Sequence, residues 1–562
     1  GETATVSLVF SEAVTGFSSS ADITIANLDN GSTSGSLSTM TSSDNITWSG
    51  TFTPATDTED ATNTLSLATS YTDNAGNSGP SETTSNYAVE TLAPTVSSVA
   101  ITAAAGIQNN FVNADDNVSV TATFSETVVV DNSSGSPTLT IIVDSTSRTA
   151  TYLSGNNSNQ LVFQYSIQDG ENDSDGISIG SNALALNSST IKDTAGNDAT
   201  LTHNAVSDNS NYKVDTIPPT VSSTGITSAT GRQNNFVNAG DVVSVTATFS
   251  ESVLVVSGGP TFTLAVGSDN RTATYTSGSG STPLVFAYTI QAGDTDTDGI
   301  SIAANALSLN SSTITDFAGN LATDITHSAV SDNAEYMVDT TAPSVNSFAM
   351  SDTALKVGDN ATVTLVLSEE VILFSSSADI TVGNGALTTM TSSDNTTWTG
   401  TYTPTDDVED DTNVLSLATS YTDPAGNSGA SATTANYEVD TKEPTISTVA
   451  ITSAEGIQNN FVNPNDNVSL TVTFSEVVVV DNSSGSPTLT IVVGSDNRTA
   501  TYTSGSGNAQ QVFGYMVQAL FTSGENDSNG ISISANSLSL NSSTIKDEAG
   551  NTAIITHSAV SN

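Results

Sequence analysis

The sequence contains no cysteine in 562 residues, only 9 lysines and arginines against 59 aspartates and glutamates, and just 6% aromatic residues. Without cysteine there is no disulfide framework, no thiolate nucleophile and no cysteine-ligated zinc, so small domains must be held by another device. So few cationic side chains cannot build the basic patch that nucleic acid or an anionic membrane attracts, and a formal net charge of −50 opposes both. Long apolar runs are missing as well. Val128–Val130 and Val477–Val480 are among the longest, far below the roughly 18 residues of a membrane helix. The chain opens directly into strand-like sequence without a basic and apolar leader, so we expect a mature chain or a piece of a longer one.

What is present is patterned. The 36% of hydrophobic residues fall in short alternating runs among Thr, Ser and Asn, which argues against disorder despite the net charge. Self-similarity organises the chain. The segment IQNNFVNADDNVSVTATFSETVVV from Ile107 returns from Arg232 and again from Ile457, and a shorter unit from Ser18 returns from Ser375. The order is short, long, long, short, long.

Two signatures join both unit types. One is the Phe/Leu-Ser-Glu at Phe10–Glu12, Phe124–Glu126, Phe249–Glu251, Leu367–Glu369 and Phe474–Glu476, expected to close an early strand. The other is a D-x-A-G-N turn at Asp73–Asn77, Asp193–Asn197, Asp316–Asn320, Asp423–Asn427 and Asp547–Asn551. Each occurs five times, so five domains are expected. A strand end followed by proline marks the boundaries, at Glu90 to Pro94, Asp215 to Pro219, Asp339 to Pro343 and Asp440 to Pro444, and proline stiffens so short a linker. The domains are then 1–93 (short, lacking its first strand), 94–217 (long), 218–341 (long), 342–443 (short) and 444–562 (long, lacking its last strand).

Val118, Val120, Ala122 and Phe124 alternate with polar residues, as do Leu161, Phe163, Tyr165 and Ile167. One face of each run belongs in a core and the other in water. Short strands with frequent turns, in units of about 100 to 125 residues, predict antiparallel β-sandwiches, with Trp48 and Trp398 in their cores. The first unit lacks the strand that the fourth has between Val345 and Val357, and the last stops before the equivalent of Tyr336–Asp339. The expectation is a window from a longer array; the alternative is a filament subunit whose missing strand is donated by a neighbour.

Catalytic constellations are scarce. His203, His327 and His557 occupy one repeated position, as do Arg148, Arg271 and Arg498, which suggests structural roles, a repeated ion pair or a packing role for the arginines. No phosphate-binding loop, dinucleotide fingerprint or nucleophile elbow is present. Metal ligation is the stronger chemical signal. Acidic or amide oxygens stand at alternate positions before a glycine at Glu171, Asp173 and Asp175, at Asp294, Asp296 and Asp298, and at Glu525, Asp527 and Asn529. Such spacing can wrap a hard cation, and a shell of six to eight oxygens is the calcium preference. The loops are not EF-hands, since Ile177, Ile300 or Ile531 should begin a strand just after the glycine.

A second candidate set combines the Glu of the Phe-Ser-Glu motif, the Asp opening the D-x-A-G-N turn and the acid before each linker. It comprises Glu12, Asp73, Glu126, Asp193, Asp215, Glu251, Asp316, Asp339, Glu369, Asp423, Asp440, Glu476 and Asp547. If a sandwich brings these to one pole, they can hold calcium at the junction with the next domain. A turn closed by local hydrogen bonds from Asp and Asn explains the same motif without metal.

The long unit, through FVNAGDVVSVTATFSE, RTATYTSGSG and THSAVSDN, resembles the tandem Ig-like repeats of very large bacterial surface and secreted proteins. The short unit resembles another bacterial Ig-like repeat, through TWTGTYTP and YTDPAGNSG. The resemblance covers essentially the whole chain. It implies an all-β extended rod of five Ig-like domains outside the cell, in a stalk, adhesin or filament, often stiffened by calcium, and no catalytic residues. Its partners would be neighbouring domains of the same longer chain or copies of itself. The competing expectation is a ligand-binding module that recognises a surface glycan or protein through its end loops. Tyr152, Tyr275 and Tyr502 recur between units, which fits framework residues better than an exposed platform.

Overall fold

The computed structural model describes residues 1–27, 33–519 and 527–561, and there the chain is almost entirely β-structure. Among the described residues five hydrophobic clusters form, each drawn from one repeat. Among the described residues no helix is long and apolar enough to cross a membrane. The two helical turns, Ser19–Asp22 and Ser376–Asp379, are four residues each and carry the same Ser-Ser-Ala-Asp sequence. In each the buried Asp accepts from the backbone N–H four residues earlier, Ser18 at 2.6 Å and Ser375 at 2.7 Å, which closes the turn.

In the first long unit the main sheet runs, neighbour to neighbour, Val96–Ala105, Asn117–Asp131, Ser158–Ser166, Thr146–Ser154, Thr138–Val143 and Leu184–Ala185. Its register matches the alternation of the sequence. Val118 pairs with Tyr165, Val120 with Phe163 and Ala122 with Leu161, which sets the apolar residues opposite one another on the inward face. Val118, Val120, Ala122, Leu161 and Phe163 are fully buried. A second, small sheet closes the other side, with Lys213–Asp215 between Phe111–Val112, which runs parallel to it, and Asn172–Asp173, which runs antiparallel. The second long unit repeats both sheets, and the described part of the third repeats the main one.

The fourth, short unit packs three small sheets. They are built on Ala361–Leu367 between Val345–Met350 and Thr397–Pro404, on Tyr437–Asp440, and on Ser416–Leu417. The equivalent strand pair in the first unit is Ala4–Val9 with Thr47–Pro54. Trp48 and Trp398 are half-buried, against Phe17 and Phe374 with ring centroids 4.9 and 4.7 Å apart.

Two sequence expectations need correction. In the long units Phe-Ser-Glu does not close a strand but interrupts one. Asn117–Asp131 pairs with Ser158–Ser166 up to Thr123, shifts register before Val128, and beyond it pairs with Thr190–Lys192. The motif sits at that irregularity, which frees Glu126 from the alternation and points the strand toward a new partner. Nor do Ile177 and Ile300 begin regular strands. The segments after them are held by single bridges, Ile142 with Ser178 and Ile179 with Val206 in the first case, because the chain crosses between sheets there.

Candidate metal centres at the junctions

Each D-x-A-G-N turn is built by its own side chains. Asp316 Oδ1 accepts the backbone N–H of Asn320 at 2.9 Å, and its Oδ2 accepts the Asn320 side-chain amide at 2.7 Å. Gly319 takes φ +96°, a left-handed dihedral that glycine adopts without cost. The same bonds form at Asp73, Asp193, Asp423 and Asp547. The Asn then reaches out of its unit. Its Nδ2 donates to a main-chain oxygen at the end of the preceding unit: Asn197 to Glu90 at 3.3 Å, Asn320 to Asp215 at 2.8 Å, Asn427 to Asp339 at 2.9 Å and Asn551 to Asp440 at 2.8 Å.

That contact brings carboxylates of two units together. Among the described residues, Asp215 with Glu251 and Asp316, Asp339 with Glu369 and Asp423, and Asp440 with Glu476 and Asp547 each place one oxygen per residue within 4.8 Å of the others. The first acid of each group belongs to one unit and the other two to the next. The turn Asp is buried in all three groups, and its partners are half-buried. Glu126 faces Asp193, Glu90 and Glu59 at the first junction and feels all three charges. Glu12 is exposed and Asp73 half-buried, and neither belongs to such a group among the described residues.

The cost of this crowding shows in the proton affinities. Burial, then the charges of Asp215 and Asp316, push the Glu251 carboxyl up to about 7. Burial, then Asp440, Asp547 and Glu409, push Glu476 up to about 7 as well. Glu369, Asp215 and Asp440 move in the same direction, in each case chiefly through burial. Glu476 Oε1 is buried without a hydrogen-bond partner. A cation among these oxygens would remove both the repulsion and the desolvation penalty.

The alternating loops are arranged otherwise. Glu171 accepts from Arg148, from the Tyr165 hydroxyl at 2.7 Å and from the Gln168 N–H at 2.9 Å. Asp294 likewise accepts from Arg271 at 2.7 Å, from the Tyr288 hydroxyl and from the Gln291 N–H at 2.9 Å. Asp173 and Asp296 turn inward to the backbone N–H groups of Asp144 and Gly176, and of Gly267 and Gly299. Asp527 does the same with Gly494 and Gly530. Asp175, Asp298 and Asn529 are exposed, and Glu525 lies outside the described residues. Most of these oxygens stitch the loop to the sheets and the arginine supplies positive charge beside Glu171 and Asp294, while burial, together with the adjacent carboxylates of Asp175 and Asp298, raises the proton affinity of Asp173 and Asp296.

Other repeated polar residues are structural too. His327 Nε2 accepts the Ala306 N–H at 2.8 Å while Nδ1 faces the Ser328 carbonyl at 2.8 Å, which fits a neutral ring protonated at Nδ1. His203 and His557 make the same pair of contacts. Sequence reasoning missed Glu59 and Glu409, which add charge at the junctions after short units, with Lys442 on Glu409 at 2.9 Å. Both precede a recurring aspartate, Asp60 or Asp410, and that repeat was the available signal.

A family model of a bacterial Ig-like domain matches residues 1–89 and 339–439, which are the two short units. No curated protein matches the chain. Among solved structures, an extracellular region of plexin A4 is similar at 7% identity over 81% of this chain and 48% of that one, with a TM-score of 0.17. A second plexin A4 structure is 10% identical over 93% of this chain and 47% of that one, with a TM-score of 0.15. The S-layer protein rSbsC is 12% identical over 77% of this chain and 65% of that one, with a TM-score of 0.13. The chain thus spans about half the length of the plexin chains, and likeness at these scores bears no further argument. The family match falls on both short units, and with a separate core in every repeat the chain is a tandem array of β-sandwich units, two of them similar to bacterial Ig-like domains.

Proposed function

We propose that the chain is an extracellular structural array of a bacterium, a stalk, adhesin or filament component, whose junctions are stiffened by bound calcium. The observation that carries this reading is the recurrence of one carboxylate triad, shared between two units, at three successive junctions. The donors are oxygens only, which suits a hard cation, and half-exposed carboxylates leave room for the waters that complete a calcium shell. Sites of this open kind fill where calcium is millimolar, outside the cell. A bound ion would tie the last strand of one unit to the turn of the next, so that the work is mechanical: to hold a set distance and direction between the ends of the array.

Small-angle scattering and calcium calorimetry on the whole chain test this reading. The expected result is a longer, stiffer particle with calcium than with excess chelator, and at least three ions bound per chain, one for each triad. Equal dimensions in both buffers, with no heat of binding, would sink it.

A further inference from the structure

The junctions after long units hold a second fastening, whose bonds from one unit to the next are donated by asparagine side chains. In the first long unit the backbone groups of Gln108 and Phe111 bond each other at 2.8 and 2.7 Å, closing a two-residue turn. Asn109 and Asn110 fill it at φ +50° and +69°, the left-handed geometry of a tight hairpin. Asp116 fixes the base by accepting the Asn113 N–H at 2.9 Å. Gln233, Asn234, Asn235 and Phe236 in the second long unit, and Gln458 to Phe461 in the last, close the same turn. The loop is therefore shaped by its own unit.

Its side chains reach the next unit. Asn109 Nδ2 donates to the Phe317 carbonyl and Asn113 Nδ2 to the Ala318 carbonyl, each at 3.0 Å. Asn234 and Asn238 repeat this on Pro424 and Ala425, at 2.9 and 3.0 Å. Both contacts land on positions two and three of the D-x-A-G-N turn. The glutamine covers position four so closely that a Cβ on Gly319 would lie 2.5 Å from Gln108 Nε2, and one on Gly426 would lie 2.4 Å from Gln233 Nε2. Ala318 and Ala425 are 1% exposed under the loop. Ala195 and Ala549, whose turns follow short units, stay exposed.

We propose that this Gln-Asn-Asn-Phe loop is a preformed docking surface for the D-x-A-G-N turn of the following unit, and that it fixes the junction without a metal ion. It reads main-chain carbonyls, so it accepts Phe317 or Pro424 at the second position and serves a long or a short unit alike. Glycine at the fourth position is set by the left-handed dihedral, φ +96° at Gly319 and +91° at Gly426, and the covered alanine at the third leaves no space for a long side chain. The loop at Gln458–Asn463 is built to receive the same turn from any further unit.

Pulsed electron spin resonance on the whole chain tests this, with labels on Ser228→Cys and Ser431→Cys either side of the junction between the third and fourth units. Both sites are exposed, and the chain has no other thiol. Every arm contains chelator, so failure of the calcium reading cannot imitate failure of this one. The parent should give one narrow distance. Asn234→Gly with Asn238→Ala removes both donors while glycine keeps the left-handed dihedral, and should broaden the distribution at least twofold. Ala425→Glu, which leaves the third unit untouched, should broaden it as much, with unit melting used to confirm folding. A parent as broad as the variants, or variants as narrow as the parent, overturns the proposal.

Discussion

The side-chain amide of Asn320 donates to the main-chain oxygen of Asp215 at 2.8 Å while its other hydrogen serves Asp316 Oδ2 at 2.7 Å. One side chain thus closes a turn and holds the end of the preceding unit. Asn320→Ala leaves a buried carboxylate oxygen without its donor, beside two further acids. The expected loss is about 1 to 3 kcal/mol in the stability of the third unit, read as a lower midpoint for that unit in calorimetry. Asn320→Asp should be worse without calcium, because a fourth carboxylate joins the group, and should recover more than Asn320→Ala when calcium is added. A variant as stable as the parent would show that the amide bridge is idle.

The crowded glutamates set a pH dependence whose sign can be worked out. Glu251 and Glu476 sit at about 7 in the folded chain against an ordinary 4.5. Between those values the folded state binds more protons than the unfolded one, so stability falls as pH rises. Asp294, held below 3.8 by Tyr288, Gln291 and Arg271 against the opposing effect of burial, loses its contribution only in more acid solution. Metal-free protein should therefore melt higher at pH 5.5 than at pH 8, and Glu251→Gln with Glu476→Gln should flatten that difference. Calcium binds only the ionised carboxylates, so its affinity should weaken as pH drops through 7. A metal-free midpoint that rises with pH over this window would contradict the assignment.

The two sets of acidic candidates separate by substitution. Glu251→Gln, Glu369→Gln and Glu476→Gln together should lower the number of calcium ions bound by calorimetry, because each triad loses one of its three carboxylates. Asp175→Asn and Asp298→Asn should leave that number unchanged. Arg271→Met should instead act on folding. It leaves Asp294, whose side chain is 1% exposed, with the Tyr288 and Gln291 donors but without its cation, and should lower the melting midpoint of the third unit. Loss of calcium sites on the loop substitutions would reverse the two assignments.

The sequence showed most of the scaffold and only half of the chemistry. Alternation at Val118, Val120 and Ala122 revealed which face is buried because each residue reports its own surroundings. The junction acids were legible because each recurs at a fixed place beside a boundary. Partners were not. Arg271 and Asp294 both recur, 23 positions apart, but alternation says nothing about which strand end meets which loop, so the arginine's partner was not legible. The Asn234 contact with Pro424 spans 190 positions and two units, and no local pattern encodes it. The register shift at Phe-Ser-Glu was hidden for a related reason: a bulge is defined by the strand opposite.

Separate cores predict separate melting. Phe262 is fully buried in the third unit, edge-on to Phe286 at 5.4 Å and close to the His327 ring at 5.2 Å. Every member of its cluster comes from the same repeat. Phe262→Ala leaves a cavity that this rigid ring of neighbours cannot fill, and the expected cost is about 3 to 5 kcal/mol. If the units fold on their own cores and touch only through turns, loops and carboxylates, that loss stays in one unit. Calorimetry in chelator should show one transition moved down by more than ten degrees, about what such a loss does to a domain of this size, with the others in place. Phe163 and Phe513, which hold the place of Phe286 in the cores of the second and fifth units, provide the controls, since each should shift a different transition by a similar amount. A whole curve that moves together would mean that the junctions couple the units into one cooperative body, and the stiffness of the array would then belong to its folding rather than to its fastenings.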